Sequence, residues 1–123
     1  MIRNPNSLAV LVVEDEPLLR MLAVDMIEDA GFIALEAEDA DEAVRILESR
    51  GDIRIVFTDV DMPGSMNGAL LAVCIRRRWP PIHLIITSGH HLQGDLAMPC
   101  DSIFFQKPYI GTKVVATMTQ MLH

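Results

Sequence analysis

Acidic, hydroxyl and basic side chains follow short apolar runs at several points in this chain. Glu14-Asp15 comes directly after the run Leu8 to Val13. Thr58-Asp59, with Asp61 two residues on, comes after Ile53 to Phe57. Thr87-Ser88-Gly89 follows Ile82 to Ile86, and Gln106-Lys107-Pro108 follows Ile103 to Phe105. If these ends meet, several carboxylates share a small volume with one lysine and a hydroxyl. Carboxylates that close repel one another and push a pKa upward unless a cation intervenes. Mg²⁺ answers that need, because it prefers oxygen ligands and is usually held by one or two carboxylates plus a phosphate oxygen. Mg²⁺, Lys107 and the Ser88 hydroxyl could together neutralise and hydrogen-bond a phosphoryl group in flight. Phosphoryl transfer asks a protein for little more than that.

The elements that must position these residues are legible in the hydrophobic pattern. Leu8 to Val13 reads LAVLVV, the continuous apolar run of a strand buried on both faces. Leu19, Leu22, Ala23, Met26, Ile27 and Ala30 then recur at helical spacing, and Gly31 stops that helix. Phe32 to Leu35 is a second short strand. Asp39 to Glu42 resembles an N-cap with a glutamate at the third helical position, and the helix it opens ends at Gly51. Ile53 to Phe57 is a third strand and Ala69 to Trp79 a third helix, stopped by Pro80 and Pro81. Ile82 to Ile86 and Ile103 to Phe105 are further strands. His90 to Pro99, with Gly94, leaves room only for a short helix. Thr112 to Leu122 is a terminal amphipathic helix. Such alternation predicts an α/β fold, a parallel sheet covered by helices on both faces. Ligands in such folds bind beyond the carboxyl ends of the strands, near a switch in strand order.

Taken together, Glu14-Asp15, Asp59, Met62-Pro63-Gly64, Ser88-Gly89 and Lys107-Pro108 resemble the signature of the response-regulator receiver family, from Leu8 to Leu122. The resemblance implies a doubly wound, five-stranded parallel sheet of flavodoxin-like order 2-1-3-4-5. It implies that Asp59 is the phosphoacceptor. Glu14, Asp15 and Asp59, with the main-chain carbonyl of Asp61, would hold Mg²⁺. Lys107 would pair with phosphoryl oxygens or, at rest, with Asp59. Ser88 would grip the phosphoryl group. Thr87 is the alternative hydroxyl, but the family places a small residue directly after this position and Gly89 supplies it. Phe104, three residues before the lysine, matches the family's switch aromatic. Asp61 and His90 lie where the family tunes the lifetime of the phosphoryl group. The implied partners are a histidine kinase or phosphotransfer protein, an output protein or a further relay member, and a second copy in a homodimer.

Bulk properties agree with a stand-alone receiver. The 123 residues make one domain, 1–123, with residues 1–7 as a polar tail. The net charge of -7 argues against direct nucleic-acid binding. No stretch approaches the ~20 apolar residues of a membrane span. The two cysteines, Cys74 and Cys100, have no metal-site spacing and fit a reducing cytoplasm. Blander readings exist for each piece: a solvated turn for Glu14-Asp15, a surface lysine for Lys107, packing for Phe104 or Phe105, a polar loop for His90-His91, and a solvated helix end for Arg76 to Arg78. The matching strand ends favour the metal reading of the acids. A competing function is a phosphatase of haloacid-dehalogenase type, since Asp59-Val60-Asp61 is a DxD after an apolar strand. In that class, however, the motif normally ends the first strand. A third is an interaction module that works unphosphorylated. A receiver catalyses only its own phosphorylation and dephosphorylation, so the leading reading is a switch and not an enzyme acting on others.

Overall fold

The computed structural model describes residues 8–61, 68–89 and 101–122. The described elements are β1 (Ala9–Val13), α1 (Pro17–Asp29), β2 (Ile33–Ala37), α2 (Ala40–Ser49) and β3 (Ile53–Asp59). They continue with α3 (Gly68–Arg78), β4 (His83–Ser88), β5 (Ile103–Gln106) and α4 (Gly111–Met121). The tail 1–7, Met62-Pro63-Gly64, and the segment from His90 to Cys100 lie outside the described residues.

All strand pairs are parallel, in the order β2-β1-β3-β4-β5. The chain moves outward from β1 to β2 on one side, then returns to place β3 on the other. The switch point therefore lies between the carboxyl ends of β1 and β3, where Glu14 and Asp59 stand.

Helices cover both faces. On one, Ala40, Ala43 and Leu47 of α2 and Leu71, Ala72 and Ile75 of α3 pack against Leu11, Val56, Leu84 and Ile86. On the other, Ala23 and Ile27 of α1 and Val114 and Met118 of α4 pack against Val10, Val12, Ile55, Phe57 and Ile85. Strand alternation alone would place Ile53 and Ile55 on the same face. They lie on opposite faces, because the β1–β3 register shifts between Ala9 and Val10. The exposed Arg54 is the extra residue, and its insertion reverses which side chains point where.

Several boundaries differ from the sequence reading. β2 begins at Ile33, not Phe32. Gly31 turns the chain at φ 93, and the Phe32 N–H still bonds back to Ile27 O. α2 ends at Ser49, with Arg50 already extended, so Gly51 follows the stop and does not make it. β3 and β4 run two residues beyond their apolar runs, to Asp59 and Ser88, the polar strand ends marked in the sequence. The chemically equipped side chains thus sit on the last strand residues, where the sheet ladder fixes their backbone. The N-cap of α2 is as the sequence predicts: Asp39 accepts from the Glu42 N–H at 2.8 Å. The Glu42 carboxylate accepts from the Glu38 N–H at 2.9 Å, one residue earlier than in a standard capping box. Among the described residues, no helix is long and apolar enough to cross a membrane.

Candidate functional site

Four of the five strands, β1, β3, β4 and β5, deliver the site's side chains at their carboxyl ends. Glu14 extends β1, its N–H bonding Ala37 O of β2 at 3.1 Å. Its own carbonyl accepts from Arg20 of α1 at 2.8 Å, and Arg20 also pairs with Glu36 of β2 at 3.2 Å. Asp59 closes β3 and is 5% exposed. Lys107 follows β5, anchored through its N–H to Ser88 O at 2.8 Å. From there Lys107 Nζ donates to Asp59 Oδ2 at 2.6 Å and to Glu14 Oε1 at 3.1 Å. The other oxygen of Asp59, Oδ1, accepts from the Asp61 N–H at 2.9 Å. Both oxygens of the carboxylate are therefore held, one by a cation and one by backbone.

Glu14, Asp15 and Asp59 each offer a carboxylate oxygen, and the three oxygens lie within 4.8 Å of one another. The set is all oxygen, which suits a hard cation. Asp15 is exposed while Glu14 and Asp59 are buried, so a cation here would keep a solvent side. Burial raises the pKa of Glu14, and the charge of Asp59 adds to the rise. The Glu16 N–H and Lys107 oppose it. Desolvation pulls the Lys107 ammonium down, but its hydrogen bonds to Asp59 and Glu14 outweigh that, and its pKa lies above the usual lysine value.

Beside Asp59 stands a second cluster, tied to it through the Asp61 N–H. The Asp61 Oδ2 accepts from Ser88 Oγ at 3.0 Å and from the Gly89 N–H at 3.2 Å. Thr87, opposite Asp59 on β4, lines the adjoining cavity; it is buried, and its hydroxyl reaches Thr58 O at 3.5 Å as a sheet contact. Phe104 pairs with Ile86 across β4–β5 and is 39% exposed, whereas Phe105 joins the core on the α1–α4 face. The structure thus brings together Glu14, Asp15, Asp59, Asp61, Ser88 and Lys107. It leaves Phe104 outside that group and sets Thr87 on the wall of the adjoining cavity, and His90 lies outside the described residues.

Residues that the sequence reading passed over also shape the site. Gly68, the first residue of α3, lies directly against the backbone of Asp59. A Cβ there would overlap the Asp59 carbonyl oxygen and lie 2.7 Å from its carbon and 2.8 Å from Val60 Cα. No local signal marks this glycine, which reads as one more turn former. Tyr109 packs edge-on against Phe57 with ring centroids 5.6 Å apart. With Phe57, Leu19, Leu22 and Met26 it lines a cavity of about 590 Å³ that opens onto Glu14, Asp59 and Lys107. Burial raises the Tyr109 pKa; Lys107 opposes the rise, while Glu14 and Asp59 reinforce it.

Fold and site define a doubly wound α/β protein with an acidic, oxygen-rich centre at the switch point of its sheet. The family model described as "Response regulator receiver domain" matches residues 10–99, and the chain belongs to that family. Its role is phosphorylation-dependent signalling in two-component systems. The chain is 34% identical to the Sensor kinase CckA of Brucella abortus over 120 residues, covering 94% of this chain and 13% of that protein. It thus spans a small part of that relative's length. The crystal structure of a response regulator receiver protein from Sinorhizobium medicae superimposes with a TM-score of 0.86 at 25% identity, over 97% of each chain. That of the response regulator TrrA from Thermotoga maritima, in complex with Mg²⁺–BeF, gives 0.84 at 25% identity, over 93% of this chain and 98% of that one.

Proposed function

We propose that Asp59 is the residue that accepts the phosphoryl group, from a phosphohistidine of a histidine kinase or phosphotransfer protein. The carrying observation is the state of its carboxylate. It is buried at a strand end, held on one oxygen by Lys107 and on the other by the Asp61 N–H, and faced by Glu14 and Asp15. In the transfer, an Asp59 oxygen bonds to phosphorus as the phosphorus–nitrogen bond of the donor breaks, and the electron pair stays with the imidazole. Lys107 then balances charge on the phosphoryl oxygens. In the return step water attacks phosphorus, the Asp59 carboxylate leaves, and the water's proton departs with phosphate. The protein acts on no other substrate in this reading.

Glu14, Asp15 and Asp59, with the carbonyl of Asp61, are the residues that would hold Mg²⁺. The all-oxygen donor set and the Mg²⁺–BeF complex of TrrA support that choice of metal. When bound, the ion neutralises charge that would otherwise build up on the phosphoryl oxygens. The donor would reach Asp59 past the exposed Leu19 and Leu22 of α1, which line the site's cavity. The compartment we assign is the cytoplasm, where a thiol such as that of Cys74 stays reduced. Output runs through a partner protein, a second copy of the chain or a further relay step, with Phe104 as the reporter. Asp61 and His90 set the lifetime of the phosphoryl group; an unchanged lifetime after replacing both with alanine would remove that role. The phosphatase alternative needs Asp61 as an acid toward a leaving group, yet its carboxylate is engaged by Ser88 and Gly89.

The deciding experiment is intact mass after incubation with acetyl phosphate, with and without Mg²⁺, on the wild type and Asp59→Ala. One added phosphoryl group that requires both Mg²⁺ and Asp59 is expected. An adduct that survives Asp59→Ala, or steady release of phosphate with no adduct, would refute the assignment.

A further inference from the structure

Two donors at the end of β4 are already occupied in the resting protein. Ser88 is 1% exposed, and its hydroxyl points to Asp61 Oδ2 rather than to Asp59. The Gly89 N–H points to the same oxygen. The register places Asp59 opposite Thr87, so Ser88 and Gly89 are the next residues beyond the acceptor on the neighbouring strand. A phosphoryl group on Asp59 carries three oxygens, more than Lys107 alone can serve, and Ser88 and Gly89 hold the nearest further donors. The carboxylate of Asp61 sits on those donors as an anion built into the chain, and its own N–H ties it to Asp59 Oδ1.

We propose that the Asp61 side chain is an internal competitor of the phosphoryl group. It holds the Ser88 hydroxyl and the Gly89 N–H until the group on Asp59 displaces it. The inference rests on the reading of Asp59 as acceptor. It goes further in giving Asp61 a positioning role at rest, through Ser88 and Gly89. Displacement is an exchange of one anion for another on the same donors, followed by release of the Asp61 carboxylate toward solvent. Each donor supplies a single hydrogen, so the anion that takes it excludes the other from that donor. The resting contact thus weakens the phosphorylated state and keeps Ser88 in place when no phosphoryl group is present.

The test uses the full chain and the Mg²⁺–beryllofluoride complex as phosphoryl stand-in, with affinity read by calorimetry for the wild type, Asp61→Ala, Ser88→Ala and the double variant. Hydrogen bonds to a charged group are strong enough that freeing the donors should tighten binding on the order of tenfold in Asp61→Ala. Simple removal of a negative charge would also tighten binding, so the coupling between the two positions decides. Ser88→Ala should cost little while Asp61 is present and several-fold more once Asp61 is alanine. In the absence of ligand, the Gly89 amide should exchange faster in Asp61→Ala than in the wild type. Asp61→Asn keeps the shape without the charge; it should fall between, and it serves if alanine disturbs folding. Equal costs of Ser88→Ala in both backgrounds, or no tightening in either Asp61 variant, would overturn the proposal. If the folded wild type neither binds beryllofluoride nor takes a phosphoryl group from acetyl phosphate, the acceptor reading itself falls and this inference falls with it.

Discussion

The two faces of the sheet are built differently. On the α2–α3 face, small residues bring the helices close: Ala40 and Ala43 of α2, Gly68, Ala69 and Ala72 of α3. Gly68 is so close to Asp59 that the strand end and the helix start form one packed unit. The α1–α4 face keeps a cavity beside the site, and Leu18, Leu19, Met21 and Leu22 of α1 remain exposed. One face therefore holds the acceptor's backbone still, while the other leaves its carboxylate approachable. A switch needs both properties. A carboxylate that drifted would lose its alignment with Lys107, and one that was covered could not meet a protein donor.

Ile75→Ala should break the closed face most severely. Its side chain is fully buried against the sheet, and its truncation should cost about 2–5 kcal/mol in urea unfolding. Gly68→Ala should cost about 1–3 kcal/mol by overpacking, and the displaced backbone is that of Asp59. The yield of acetyl-phosphate adduct should therefore fall more than the lost stability explains, which mass spectrometry under native conditions would reveal. Leu22→Ala, on the open face, should change stability by less than about 0.5 kcal/mol. Labelling by acetyl phosphate should stay as it is, while transfer from a phosphorylated protein donor slows. A large loss of stability there would mean that the α1 face is closed in solution, and the contrast between faces would fail.

The smallest expected effect is spectroscopic. Tyr109 is the single tyrosine, so phenolate absorbance reports it alone. Its pKa is raised, mainly by burial, so the phenolate should appear above the ordinary value of about 10. A proton held more tightly in the folded state contributes stability that is complete below the unfolded pKa. That stability is lost as pH rises from there through the folded value. Lys107→Ala, which removes the opposing charge, should move the titration higher still. A midpoint at or below the ordinary value would show that the open face admits water freely around Tyr109.

Much of this architecture was legible without coordinates. Continuous apolar runs marked the buried parallel strands, because a strand covered on both faces has no solvent side to alternate toward. Asp39 announced the start of α2 by a contact three residues long. The bulge at Arg54 was hidden, since only the register with β1 shows that Ile53 and Ile55 part company. The polar ends of β3 and β4 were legible as chemistry but not as core, yet Thr58, Asp59, Thr87 and Ser88 are all buried. Their polarity is tolerated at this depth because β4 continues the ladder and hydrogen bonds take up their side chains.

From the sequence alone came the alternation of strands and helices and the placing of acids, hydroxyl and lysine at strand ends. These follow from local periodicity and from residue type, which neighbours along the chain determine. Tertiary structure alone decided that Lys107 also reaches Glu14 across 93 positions, that Ser88 meets Asp61 across 27, and that Gly68 lies under the acceptor. Those contacts join residues that only the packed sheet makes neighbours. They depend on tenths of an ångström in how α3 and β5 settle against it, which no pattern of residue types encodes in a short stretch of chain.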